Sequence, residues 1–146
     1  MEICSIGSSG SSAEEFFLKL EGAGVTSLID TRANHNSQLA GFAKSDSLKF
    51  FIPKIFDIPY LHEAMLVPRK DRLENYRKDR TTWYQYSKDY LMDLESRSIH
   101  KELDTSKWGV RPVLLCSEKL PNNCHRRIAA EYLAANLTEV TDVIHL

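Results

Sequence analysis

Two cysteines and a histidine fall within ten positions of one another late in this sequence, as Cys116, Cys124 and His125, and Arg126 and Arg127 follow at once. An apolar run ends at Cys116. Ser117 and Glu118 open a polar loop that contains Pro121, and a helix is then expected from Cys124 to Asn136. A helix start carries a partial positive charge and unpaired N–H groups, so carboxylates suit it and cations do not. Two arginines in that first turn set like charge against like charge. The compensation this predicts is an anion bound at the helix end, where N–H groups, dipole and guanidinium act together. The same field favours the thiolate of a nearby cysteine. The chemistry implied is an anion site with a reactive thiol. Cys124 or Cys116 would supply the nucleophile, and Glu118 would act as a general base or as a counter-ion to Arg126 or Arg32.

Competing roles narrow these assignments. Free cysteine is among the most buried residue types, so Cys116 at a strand end also reads as a packing residue. Seven residues separate Cys116 from Cys124, which is not the Cys-x-x-Cys redox spacing, although a redox couple between them stays open. The spacing does not match a structural zinc site either, and no metal is expected. A mixed site would have to use Cys116, Cys124 and His125. Ile128, Ala129 and Tyr132 lie three, four and seven positions after His125, which turns this imidazole towards the apolar side of its helix. A structural histidine that orients a loop carbonyl or carboxylate follows. Arg127 has Glu131 four residues on and is explained by that pair, whereas Arg126 has Ala130 there and ranks first as an anion ligand. The phosphate loop Cys-x5-Arg is absent, because no arginine stands between Cys116 and Cys124.

With 146 residues the chain is one domain, residues 1–146, long enough to bury a core without staples. A net charge of −1 gives no global attraction to nucleic acid or acidic membranes, so any such binding needs a local patch. Three widely spaced cysteines argue against a disulfide framework and for a reducing, cytoplasmic setting. The first residues do not form a signal peptide, and no apolar run approaches the ~20 residues that span a bilayer. Nothing in the sequence names a cofactor or an oligomeric state.

The elements that must position these residues alternate between strand and helix. Ile3–Ile6 reads as a strand ending at Gly7, and Val25–Ile29 as a second ending in Asp30-Thr31-Arg32. Ile58–Leu61, Val113–Leu115 and Val140–Leu146 complete the set. Ser12 and Glu15 match a capping box before a helix that carries Ala13, Phe16, Phe17 and Leu20. Ala33–Gly41 reads as a loop. Ser45-Asp46-Ser47 starts a short helix that Pro53 should end soon after. Trp83, Tyr90, Leu91 and Leu94 share one helical face. Between residues 69 and 80 stand six basic and three acidic side chains, which predicts a solvated excursion or the polar start of the next helix rather than a nucleic-acid groove. The pattern predicts an α/β domain with a mostly parallel sheet and helices on both faces, Rossmann-like or flavodoxin-like. Ligands of such sheets sit beyond the carboxyl ends of the strands. Gly7-Ser8-Ser9, Asp30 with Arg32, and Cys116 with Glu118 should therefore meet at one edge beside the Cys124 helix. The serines offer hydroxyls and N–H groups to a phosphate, and Asp30 and Arg32 share a strand face and can pair with each other.

These segments resemble the family known as domain of unknown function 488. The family's Gly-His-Ser is matched by Gly7-Ser8-Ser9, its Asp-Val-Arg by Asp30-Thr31-Arg32, and its most specific motif by Cys116-Ser117-Glu118 followed by Cys124-His125-Arg126-Arg127. Its apolar–His–apolar ending is matched by Ile144-His145-Leu146. Ser8 stands where the family usually has histidine, and Leu66-Val67-Pro68 where it has a glycine-rich stretch. The resemblance implies a Rossmann-related α/β fold and supplies no activity. Three functions follow from the residues: an enzyme acting on a phosphate-bearing small molecule, nucleotide or nucleic-acid end; a non-catalytic nucleotide or nucleic-acid binding module; or a thiol redox sensor.

Overall fold

The computed structural model describes residues 1–35 and 40–146. Part of the loop expected over Ala33–Gly41 lies outside the described residues. Five strands, β1 (Glu2–Gly7), β2 (Ser27–Asp30), β3 (Tyr60–His62), β4 (Pro112–Cys116) and β5 (Asp142–His145), form one sheet in the order β3-β2-β4-β1-β5. Every pairing among them is parallel. Buried residues fill successive positions of β1 and β4, all of them apolar in β4, because a parallel sheet buries both of its faces.

Period-two alternation divides the core. Cys4, Ile6, Leu28, Val113 and Leu115 face α1 (Ala13–Ala23) and α2 (Ser45–Phe56), which contribute Phe16, Leu20, Leu48 and Ile52. Ile3, Ile29 and Leu114 face the other way. They pack under α4 (Trp83–Ser96), the short α5 (Ile99–Glu102) and α6 (His125–Asn136), together with Tyr90, Leu94, Trp108, Ala129 and Leu133. Helices thus cover both faces. The basic stretch forms its own short helix, α3 (Lys70–Arg77), which buries no residue and packs against α4. No helix among the described residues is long and apolar enough to cross a membrane.

Local chemistry sets the boundaries. The Glu15 N–H donates to Ser12 Oγ at 3.1 Å and the Ser12 N–H to Glu15 Oε2 at 3.0 Å, which completes the capping box of α1. Gly24, with φ 61°, closes its other end. Helix α2 runs past Pro53 for another turn, further than the proline predicts, and Asp57 closes it by donating to the Pro53 carbonyl at 3.0 Å. The extra turn brings the Phe56 ring onto Phe17, with centroids 6.1 Å apart, a contact that offsets part of the cost of the interior proline.

Replacing Ser12 with Ala leaves the Glu15 N–H without its side-chain acceptor, while the N–H of residue 12 keeps Glu15 Oε2. The expected loss is about 1 kcal/mol, seen as a lower urea midpoint with an unchanged slope.

Candidate functional site

The site is assembled where β4 ends and α6 begins. The Ser8 N–H donates to the Cys116 carbonyl at 3.0 Å and the Ser9 N–H to the Ser117 carbonyl at 2.8 Å, so the first loop continues the β1–β4 ladder. Residues 117–123 then fold back to Cys124, the N-cap residue of α6. Arg126 pins that fold. Its guanidinium is fully buried and donates to the Glu118 carbonyl, to the Lys119 carbonyl at 3.0 Å and to Ser5 Oγ at 3.3 Å. Its Nη1 also lies 3.6 Å from Cys124 Sγ. The cation at the helix start is thus met by carbonyl dipoles of the preceding loop. Gly7 is required beneath it, because a Cβ there would lie 1.8 Å from the Glu118 oxygen and 2.9 Å from Arg126 Nη1.

The pinned loop brings three soft donors together. Cys116 Sγ, Cys124 Sγ and an imidazole nitrogen of His125 all lie within 4.8 Å of one another, and all three residues are buried. His125 Nε2 sits 3.0 Å from the Thr31 carbonyl and 3.1 Å from Thr31 Oγ1, whose own hydrogen goes to the Leu115 carbonyl at 2.9 Å. A carbonyl only accepts, so Nε2 carries a proton. That leaves Nδ1 facing Cys116 Sγ at 3.5 Å. The Tyr90 ring meets the imidazole edge-on at 5.6 Å.

This arrangement moves the thiol proton. Donation from Cys124, the positive His125 ring and the Glu118 N–H hold the Cys116 thiol well below the ordinary thiol range, against its burial. Cys124 moves up, because it donates to Cys116, is buried and faces negative charge there. Burial disfavours charge on His125, but the Cys116 thiolate and the Thr31 carbonyl together hold it above its usual value. Cys4 lies on the opposite face of the sheet, and burial pushes its thiol up.

A pocket of about 30 Å³ opens over the cluster, lined by Tyr76, Arg77, Tyr86, Ser117 and Asn123 among others. The volume suits about two water-sized molecules. Tyr76 of α3 stacks on Tyr86 at 4.9 Å and 13°, and Trp83 closes on both rings at 5.7 Å. The Tyr86 hydroxyl is buried and has no hydrogen-bond partner among the described residues.

With that geometry in view, the description "Domain of unknown function DUF488" matches residues 12–133. The chain belongs to the DUF488 family. No curated protein and no solved structure matches it. The matched span contains the whole Cys116–Arg127 motif, whereas Gly7-Ser8-Ser9 and Ile144-His145-Leu146 lie outside it.

The DUF488 motif residues divide between the two faces of the sheet. In register, Asp30 lies opposite Leu115, so Cys116 points to the other side. Asp30 and Arg32 pair with each other at 2.6 Å while almost fully buried, and the Tyr60 hydroxyl donates to the same carboxylate at 2.6 Å. Burial opposes the charge on Arg32, but Asp30 holds its pKa up, and burial beside Asp30 raises Tyr60. Ser8 is buried and Ser9 exposed, both tied by their N–H groups to β4. Arg127 pairs with Glu131 at 3.7 Å. Glu118, expected as a carboxylate partner of Arg126, meets it instead through its main-chain carbonyl, because the buried guanidinium lies under the loop while the Glu118 residue is exposed. Thr31, Ser5 and Tyr86 were missed as site residues. Thr31 stood between two candidates in the motif, and Tyr86 stood four before Tyr90 on the buried face of α4.

Two outcomes follow. In the parent protein, Cys116, followed by peptide mapping, should react with iodoacetamide with a pH midpoint below the ~8.5 of a free thiol. The thiolate survives as pH falls until the lowered pKa is crossed, and His125→Gln should move the midpoint up. An ordinary midpoint unaffected by His125 overturns the ion pair. Arg126→Met should lower stability by about 1–3 kcal/mol, because two loop carbonyls lose a charged donor. Arg126→Lys should restore little, since an ammonium lacks the fork that reaches both. An unshifted denaturant midpoint in both variants removes the pin.

Proposed function

We propose that this DUF488 chain is a thiol redox protein in which Cys116 is oxidised by a small hydroperoxide and Cys124 resolves the product as a disulfide. The observation that carries this reading is the meeting of two buried sulphurs beside an imidazole whose far nitrogen is anchored. The small pocket supports an oxidant of hydrogen peroxide's size rather than a nucleotide. Arg126, ranked first as an anion ligand, already holds internal partners, and Arg32 is paired with Asp30.

The steps balance. The Cys116 thiol passes its proton to His125, and the thiolate attacks one peroxide oxygen. An S–O bond forms, the O–O bond breaks, and the departing hydroxide takes the His125 proton to leave as water. Cys116 is then a sulfenic acid. The Cys124 sulphur attacks the Cys116 sulphur, the S–O bond breaks, and the hydroxyl leaves as a second water with the Cys124 proton. Two thiols are oxidised and one peroxide is reduced.

Treatment with stoichiometric hydrogen peroxide should lower the intact mass by two hydrogens, reversibly with reductant, and leave Cys4 the only alkylatable thiol after denaturation. Cys124→Ser should instead gain one oxygen, trapped by a sulfenic-acid reagent. If all three thiols remain alkylatable, or the bond involves Cys4, the reading is wrong.

A further inference from the structure

The donor set supports more than oxidation. We infer that Cys116, Cys124 and His125 form a binding site for a thiophilic divalent ion, zinc being the best fit, with an open fourth position facing the pocket. This goes beyond the redox reading and does not rest on it.

Four features of the geometry point there. Tetrahedral zinc with ordinary Zn–S and Zn–N bonds sets sulphur and nitrogen about 3.5 Å apart, and Cys116 Sγ lies 3.5 Å from His125 Nδ1. The three donor atoms span no more than 4.8 Å before any ion draws them in. A metal-ligating histidine almost always donates its other ring N–H to a carbonyl or carboxylate, which fixes the ring, and here Nε2 donates to the Thr31 carbonyl. The buried Tyr86 hydroxyl has no partner among the described residues and Tyr86 lines the pocket over the cluster, where a water on the ion's fourth position would give the hydroxyl one.

The chemistry selects the ion. Two thiolates and an imidazole suit zinc and exclude magnesium and calcium, which need oxygen ligands. Two thiolates also neutralise a dication, so the buried site carries no net charge when filled, and the Arg126 Nη1 group 3.6 Å from Cys124 Sγ offers an N–H to one of them. Three protein ligands with a water-sized space beside them match the open, three-plus-one pattern rather than a closed structural site. The long Cys116–Cys124 spacing counted against a metal site in the sequence, but in the fold the loop held by Arg126 replaces a short chelating turn.

Cobalt(II) is the probe. The full chain, stripped with chelator and kept reduced with a phosphine, is titrated with cobalt. One equivalent should produce tetrahedral d–d absorption in the red and sulphur-to-cobalt charge transfer in the near ultraviolet, and zinc should abolish both. Cys124→Ser should lose part of the charge-transfer intensity. His125→Gln should weaken binding by on the order of 10-fold or more. Both variants are checked for native circular dichroism, and if Cys116→Ser does not fold these two suffice. Zinc should also suppress alkylation of Cys116 in the parent chain. Tyr86→Phe should keep the stoichiometry and shift the d–d bands. Absence of tetrahedral bands, or bands that persist unchanged in both Cys124→Ser and His125→Gln, overturns the site. Since the titration is run under reduction, its failure is distinct from failure of peroxide-driven disulfide formation.

Discussion

The buried guanidinium of Arg126 is the contact on which the rest of the site depends. A cation at a helix start is unfavourable by itself. Here it is aimed back under the preceding loop, where two carbonyls and a serine hydroxyl receive it. That contact determines where residues 117–123 turn, and the turn determines where Cys124 sits relative to Cys116. Gly7 is part of the same device, because only a residue without a side chain lets the loop oxygen approach so closely. Removing the fork would take away both loop-carbonyl contacts and the contact to Cys124 Sγ at once.

The second constraint is the pleat of the sheet. Polar residues at the ends of β1, β2 and β4 reach one edge, yet alternation sends them to two faces. Asp30, Arg32 and Tyr60 form a saturated ion-pair cluster on the α1–α2 side. Thr31, one residue along, points to the α4–α6 side and supplies the carbonyl that sets the His125 tautomer. One short motif therefore serves two purposes, a structural ion pair on one face and orientation of the His125 imidazole on the other.

Burial gives the cluster its character. An isolated thiolate under this much protein would be unfavourable. It is stabilised because a donor thiol, a cationic ring and a main-chain N–H converge on it. The proposed oxidation and the proposed metal binding would both draw on that same convergence, each replacing the shared protons with a bond, to sulphur in one case and to an ion in the other. Tyr76 and Tyr86, stacked on each other and touched by Trp83, line the small pocket over the sulphurs.

Much of this was legible in the linear chain. Alternating apolar runs determined a parallel α/β domain with helices on both faces, since neither period leaves another way to bury its residues. The Ser12–Glu15 spacing determined the start of α1, the Ile128–Ala129–Tyr132 spacing turned His125 inwards, and Glu131 claimed Arg127. The oddity of arginines in a first turn pointed to the segment where Cys116, Cys124 and His125 meet. What compensates that charge was beyond the sequence, because main-chain carbonyls are the same at every position and only the folded loop decides which of them converge. Register likewise decided that Asp30 and Cys116 part company, a one-residue offset that no local pattern carries. The tertiary structure alone brought Cys124 back across seven residues to Cys116, since the distance between two thiols depends on the path of the loop and not on its length.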